Sequence, residues 1–176
     1  MSDFDFDAVV VGAGAVGLAC GYALSRRGQT VLVLEKDAAI GQGVSSRNSE
    51  VIHGGLYYPT GSRKARFCVQ GRRALYAFLE SRKVAYRRCG KLVVATSDEE
   101  AARIEAIAEQ ARTNDVEGIE VITGAAAMAL EPGLKASAAV VSPQSGVFDS
   151  HGYMLALQGE IEAAGGAVVT STPFEG

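Results

Sequence analysis

The stretch Ala8-Val9-Val10-Val11-Gly12-Ala13-Gly14-Ala15-Val16-Gly17 decides the fold. The four residues before the first glycine are apolar and mostly β-branched, as in a strand buried in a parallel sheet. A helix follows to about Arg27. Gly28 supplies a left-handed residue to end it, and Arg26 and Arg27 suit the negative end of its dipole. Gly17 and Gly21 share one helical face, so that face can approach a sheet closely. Thr30 to Leu34 is a second apolar run, closed by Glu35, eighteen residues after Gly17. Strand, glycine turn, helix, strand and acid make a βαβ unit suited to a dinucleotide. Gly12 allows the tight turn, Gly14 lets backbone approach a pyrophosphate, and Gly17 lets the helix pack on the strand. The helix N-terminus offers free N–H groups to phosphates. Glu35 can accept both hydroxyls of an adenosine ribose and repels a 2′-phosphate, which disfavours NADP. The competing reading is a glycine-rich turn without a ligand.

Around that unit lies a chain of 176 residues, 48% hydrophobic and 21% charged, enough for a packed core. No apolar stretch is long enough to span a bilayer. The opening Met1-Ser2-Asp3-Phe4-Asp5-Phe6-Asp7 is acidic and lacks the basic start of a secretory signal. Cys20, Cys68 and Cys89 form no CxxC pair, which argues against a disulfide framework or zinc site. These features lead to the expectation of a reducing, cytoplasmic location. A net charge of -3 argues against general nucleic-acid binding. Between Val51 and Ser97, however, ten basic residues face only Glu80, so this segment is +9 and the remainder -12. It is either a solvated helix face or a surface that attracts anions.

Residues 41 to 61 are rich in Gly, Ser and Tyr without a clear period, and long loops in compact domains are commonly functional. Ser62 to Arg82 reads as a helix with Ala65, Cys68, Val69, Leu75 and Leu79 inward. Lys91 to Thr96 reads as a strand paired in a hairpin with Ala85 to Arg88. Ser97 and Glu100 form a capping box for a helix with Ala101, Ile104, Ala108 and Ala111 inward. Thr123 caps a short helix before Glu131-Pro132-Gly133, and Ala138 to Val141 is a strand. Ser150 caps a helix to about Ala164, and Ala167 to Thr170 is a last strand. The expected fold is α/β: a Rossmann-like domain with a mostly parallel sheet, interrupted by a smaller mixed α+β lobe. The expected boundaries are 1–82, 83–145 and 146–176.

A simple NAD domain would add another helix and strand directly after Glu35. This chain instead enters Gly41-Gln42-Gly43-Val44-Ser45-Ser46-Arg47-Asn48-Ser49-Glu50-Val51-Ile52-His53-Gly54-Gly55, whose hydroxyls, arginine and amides suit further pyrophosphate contacts. The alternative is a flexible solvent loop. Together these residues resemble the D-amino-acid-oxidase-like superfamily of FAD-dependent oxidoreductases. The run Ser46 to Tyr58, with Lys64-Ala65-Arg66-Phe67-Cys68 and Gly90-Lys91-Leu92-Val93-Val94-Ala95, resembles its L-2-hydroxyglutarate dehydrogenase or oxidase branch.

The resemblance makes the smaller mixed α+β lobe part of a substrate domain and implies FAD as cofactor, held by Gly12, Ala13, Gly14, Ala15, Val16 and Gly17 at the pyrophosphate and by Glu35 at the ribose. Lys36 would lie beside the adenosine. Ser45, Ser46, Arg47 and Asn48 would run along the cofactor toward the flavin. It implies oxidation of a small 2-hydroxy dicarboxylate, with the C2 hydride passing to flavin N5. His53 is the candidate base, since histidine can titrate near neutral pH. Other roles open to it are packing on the flavin or attaching it covalently. His151 reads as structural, Cys20 as core, and Tyr57 and Tyr58 as pocket lining or ordinary core. Members of this family are about twice as long, so the chain reads as an amino-terminal portion. A partner chain would then supply the missing half, or self-association would cover the gap. A peripheral membrane electron acceptor is also compatible. Two other functions stand beside this one: a flavin amine or amino-acid oxidase, and a nucleotide-binding module without chemistry.

Overall fold

The computed structural model describes residues 5–175. Asp5 to Asp7 of the acidic opening fall within that range, while Met1 to Phe4 lie outside the described residues. In chain order the elements are β1 (Ala8–Val11), α1 (Ala15–Ser25), β2 (Val31–Leu34), a 3-10 turn (Val44–Ser46), β3 (Val51–Ile52), α2 (Arg63–Ser81), β4 (Tyr86–Arg87) and β5 (Leu92–Ala95). Then come α3 (Asp98–Thr113), β6 (Glu120–Thr123), α4 (Gly124–Leu130), β7 (Ala138–Val141), β8 (Gly146–Phe148), α5 (Ser150–Ala163) and β9 (Ala167–Val169).

The chain divides into two compact units. The first holds the residues up to Glu50, Arg82–Ala85 and the residues from Asp149 on. Its sheet has the order β1-β2-β9 and is parallel throughout, with Val10 beside Val33 and Val33 beside Val168. Helix α1 ends as its sequence predicts, with Gly28 at φ +81°. Gly21 brings α1 against the sheet and against α5: a Cβ there would sit 3.2 Å from Val33 Cγ2 and 2.9 Å from Ile161 Cδ1. Leu18, Leu157 and Ile161 are fully buried around this contact. Each contributes about 1.5–3 kcal/mol by leaving water. Asp149, not Ser150, caps α5: its carboxylate accepts from the Gly152 N–H at 2.9 Å. The Ser150 hydroxyl is turned instead to the Glu50 carboxylate.

The second unit spans Val51–Ser81 and Tyr86–Phe148 and has two small antiparallel sheets, β3-β8-β4 and β5-β7-β6. The expected hairpin of Ala85–Arg88 with Lys91–Thr96 does not form. Tyr86 and Arg87 pair with β8, while Leu92 to Ala95 pair with β7. The intervening Arg88-Cys89-Gly90 run carries the chain from one sheet to the other, and periodicity alone does not reveal which strand is the partner. Ser97 caps α3 as expected, with its Oγ accepting from the Glu100 N–H, while the Glu100 carboxylate reaches back to accept from the Thr96 N–H and hydroxyl. Ile104, Ala108 and Ala111 of α3 then pack against Ala95, Val140, Leu56 and Val69 in one core. Helix α2 buries Ala65, Val69 and Leu79 as expected, but also Arg72 and Tyr76. Cys20, expected in the core, is exposed on the outer face of α1.

Candidate functional site

In the first unit the carboxyl ends of β1 and β2 open into a pocket of about 390 Å³, a size within the usual range for small-molecule sites. The glycine turn (Gly12, Gly14) forms one side, and Glu35, Lys36 and Asp37 the next. Gly41 to Ser45 close over it, and Thr172 to Phe174 border it after β9. This is the place where a doubly wound sheet binds ligands.

The turn is fixed from both ends. A Cβ on Gly17 would collide with the Gly12 carbonyl oxygen, so only glycine fits there. That close approach sets the α1 N-terminus directly behind the pocket. Glu35 is 8% exposed and binds the turn itself. Its Oε2 accepts from the Ala13 N–H at 2.7 Å, and its Oε1 accepts from the Asp37 N–H at 3.0 Å. The Asp37 amide is the main cause holding its carboxyl below the ordinary value of 4.5. Burial opposes this, and the Ala13 amide and Lys36 add to the lowering. A carboxylate oxygen has two acceptor directions, so each keeps one for a sugar hydroxyl.

Ser45, thirty residues along, reaches back to α1. Its Oγ accepts from the Ala15 N–H at 3.0 Å. Gly14, the N-cap residue of α1, offers no side chain for this task. The serine hydroxyl therefore stands at one of the helix-terminal donors that suit a phosphate oxygen. Ser46 and Asn48 brace the same loop. The Ser46 hydroxyl donates to the Gly43 carbonyl at 2.9 Å, and the Asn48 side chain donates to the Ser45 carbonyl at 2.7 Å. Of the predicted cofactor residues, Gly12, Gly14, Glu35, Lys36 and Ser45 line the pocket. Ala13, Ala15, Val16, Gly17, Ser46, Arg47 and Asn48 stand outside its lining. Sequence reading missed Thr172, Pro173 and Phe174. The available signal was the parallel rule: a strand beside β2 must end where β2 ends, and the Thr172 N–H donates to the Glu35 carbonyl at 2.8 Å.

His53 belongs to the second unit. It is exposed, and its carbonyl accepts from the Cys68 thiol at 3.4 Å. Burial pushes that thiol up, which disfavours a thiolate nucleophile. His53 lines a narrow cleft with the Gly54–Tyr58 run and Lys91. His151 is exposed in the first turn of α5. Deeper in this unit, Arg72 is 4% exposed and ion-pairs with Glu117, which Arg73 also holds at 2.6 Å. Burial pushes the Glu117 carboxyl up, but the two arginines and its own amide hold it at about 2. Among the described residues no group of histidines, cysteines and acids could hold a metal ion.

A parallel βαβ sheet with a glycine turn, an acid at the end of the second strand and a pocket above them defines an adenine-dinucleotide-binding domain. The family described as FAD dependent oxidoreductase matches residues 7–176. The chain belongs to that family. It is 44% identical over 151 residues to the mitochondrial L-2-hydroxyglutarate dehydrogenase of Arabidopsis thaliana, covering 86% of this chain and 31% of that protein. The human mitochondrial enzyme of the same name is 37% identical, over 99% of this chain and 38% of its own length. The chain thus spans about a third to two fifths of the curated relatives it matches. Among solved structures, the FAD-bound L-α-glycerophosphate oxidase of Mycoplasma pneumoniae superposes with a TM-score of 0.87 at 23% identity, over 94% of this chain and 44% of that one. The L-proline dehydrogenase of P. horikoshii gives 0.86 at 24%, over 96% and 45%. Both support the fold. The expected cytoplasmic location is corrected by the relatives' names, which place those enzymes in mitochondria. Cysteines without a pairing pattern do not separate one reducing compartment from another.

Proposed function

We propose that this chain belongs to an enzyme that oxidises L-2-hydroxyglutarate to 2-oxoglutarate with FAD. The observation that carries this reading is 37–44% identity to relatives bearing that activity in their names, across nearly the whole chain. Within it, the first unit holds the adenosine end of the cofactor and the second contributes to the substrate site. The fit to FAD rests on the pocket over the glycine turn, the spare acceptor directions of Glu35 and the donors at the α1 N-terminus. Glu35 takes the ribose hydroxyls, the amides of Gly14 to Gly17 face the pyrophosphate, and Lys36 flanks the adenosine. Ser46, Arg47 and Asn48 carry the chain on along the cofactor. Bound there, FAD supplies the acceptor for the C2 hydride.

His53 takes the proton of the C2 hydroxyl as that hydride leaves, so the products are the ketone and a protonated imidazole. The exposed imidazole can then return its proton to water. The test uses the FAD-loaded enzyme under anaerobic conditions. L-2-hydroxyglutarate should bleach the flavin absorbance, while glycine and sarcosine should not. His53→Ala should slow that bleaching at least tenfold. Bleaching by the amines alone would turn the reading to an amine oxidase. A colourless protein that binds ADP but no FAD would leave a nucleotide-binding module without chemistry. A normal rate in His53→Ala would remove His53 as the base.

A further inference from the structure

The structure sorts the ten basic residues between Val51 and Ser97. Acids from later in the chain take three of them: Glu117 pairs with Arg72 and Arg73, and Glu160 with Arg82. Lys64, Arg88 and Lys91 form no ion pair among the described residues. Each lies over a tyrosine ring instead, 4.6 Å from the centroid of Tyr58, 4.0 Å from Tyr76 and 4.9 Å from Tyr57 respectively. Of these three, Lys91 is the one that lines the His53 cleft.

A single buried turn explains why Lys91 and His53 meet there. The Lys91 N–H donates to the Ser142 carbonyl at 3.1 Å, and the Ser142 N–H donates to the Lys91 carbonyl at 2.9 Å. The Gly90 N–H donates to the Ser145 carbonyl at 3.0 Å. Gly54 packs on the same turn, where a Cβ would come within 2.7 Å of Ser142 Oγ. Ser142 and Ser145 are fully buried, with their hydroxyls 3.1 Å apart. The turn thus carries both Lys91, immediately before β5, and the segment that bears His53. The cleft itself measures about 10 Å³. That is room for one water-sized polar group, not for a whole substrate.

We propose that Lys91 is a substrate-binding residue whose ammonium takes the carboxylate adjacent to the carbon that His53 deprotonates at oxygen. The proposal rests on the reading of His53 as base for a 2-hydroxy acid. It assigns the neighbouring carboxylate, not the distal one, because two residues that border one small cleft meet groups on adjacent carbons rather than groups several bonds apart. Lysine suits the task as a compact charge with three donors on a flexible stem. Leaving a tyrosine face gives up a weaker contact than the charge-assisted hydrogen bond it gains.

Steady-state kinetics of the FAD-loaded enzyme with L-2-hydroxyglutarate and the monocarboxylate L-2-hydroxybutyrate test this. In Lys91→Gln, KM should rise at least tenfold for both substrates while kcat changes less than threefold. Lys91→Arg should recover part of the loss. Lys83→Gln removes the same charge from an exposed site elsewhere and should leave both values unchanged. An unchanged KM in Lys91→Gln, or a loss confined to the dicarboxylate, overturns the assignment. Should the wild-type enzyme oxidise neither acid, the proposed function fails by itself. Lys91 is then judged by NMR titration with 2-oxobutyrate. A shift of the Lys91 ammonium signal supports the site, and its absence overturns it.

Discussion

Replacing Glu35 by glutamine removes one charge and changes almost nothing in size. The carboxylate accepts two backbone N–H groups, one from the glycine turn at 2.7 Å and one from Asp37 at 3.0 Å. Glutamine offers one carbonyl oxygen and an NH2 group, so one amide must meet a donor. Hydrogen bonds to a charged acceptor contribute about 1.5–3 kcal/mol each, and a buried donor left unmet costs about 1–3 kcal/mol. The residue is 8% exposed, so water gives little relief. We expect Glu35→Gln to lower the unfolding free energy by about 2 kcal/mol. With a urea slope of about 2 kcal/mol/M, the midpoint then falls by roughly 1 M. ADP affinity should fall as well, because the carboxylate that holds the turn is the one proposed to accept the ribose hydroxyls. The sign with pH is fixed by the lowered carboxyl. A depressed folded-state value stabilises fully above the ordinary 4.5 and is lost as pH falls through the folded value. The gap between wild type and Glu35→Gln should therefore close as pH is lowered past 4.5. A midpoint shift below about 0.2 M at pH 7, or a gap that widens in acid, would refute the role of the Glu35 carboxylate in holding the turn.

Other changes probe the same framework. Gly17→Ala forces a methyl onto the Gly12 carbonyl, and the chain should lose soluble yield and ADP binding together, checked by circular dichroism and calorimetry. Ser45→Ala removes the remote acceptor for the Ala15 amide. Thermal unfolding should show a loss of about 1 kcal/mol, the ordinary size of a cap. In the second unit, Glu117→Gln leaves Arg72 buried without its counter-charge. Breaking a buried pair costs about 3–5 kcal/mol, but Glu117 is 42% exposed, so the expected loss is nearer 2 kcal/mol. Because Glu117 titrates at about 2 when folded, its contribution is complete above pH 4.5 and disappears as pH falls toward 2. Urea midpoints between pH 7 and pH 2 measure it.

Local rules made much of the first unit legible. The spacing of Gly12, Gly14 and Gly17, the apolar runs and the acid Glu35 each have one physical solution within a βαβ unit, and the parallel sheet follows. Caps at Ser97 and Thr123 were readable because a side chain there meets an amide three residues on. Strand partners in the second unit were not readable. Tyr86–Arg87 and Gly146–Phe148 are short and too far apart for a turn signal to join them. Arg72 and Tyr76 escaped for a related reason: their burial depends on Glu117 and on the Gln144 carbonyl, which accepts the Tyr76 hydroxyl at 3.0 Å.

The site shows the same division between local and distant information. That Glu35 could accept hydrogen bonds was evident from its type and place. That it spends one oxygen on Ala13 and the other on Asp37 depends on the turn curling back to the end of β2. Ser45 is the sharper case. Its role as acceptor for the first amide of α1 depends on Gly41 to Ser45 folding over the pocket, and the Gly41 N–H donating to the Ala13 carbonyl at 3.0 Å holds that fold. A ligand phosphate reaching the Ala15 amide must displace a hydroxyl that already satisfies it. On the proposed reading of the site, the loop that flanks the pocket would be coupled to pyrophosphate occupancy through that one hydrogen bond. A variant that loses that bond should lose stability when empty and lose less when ADP is bound.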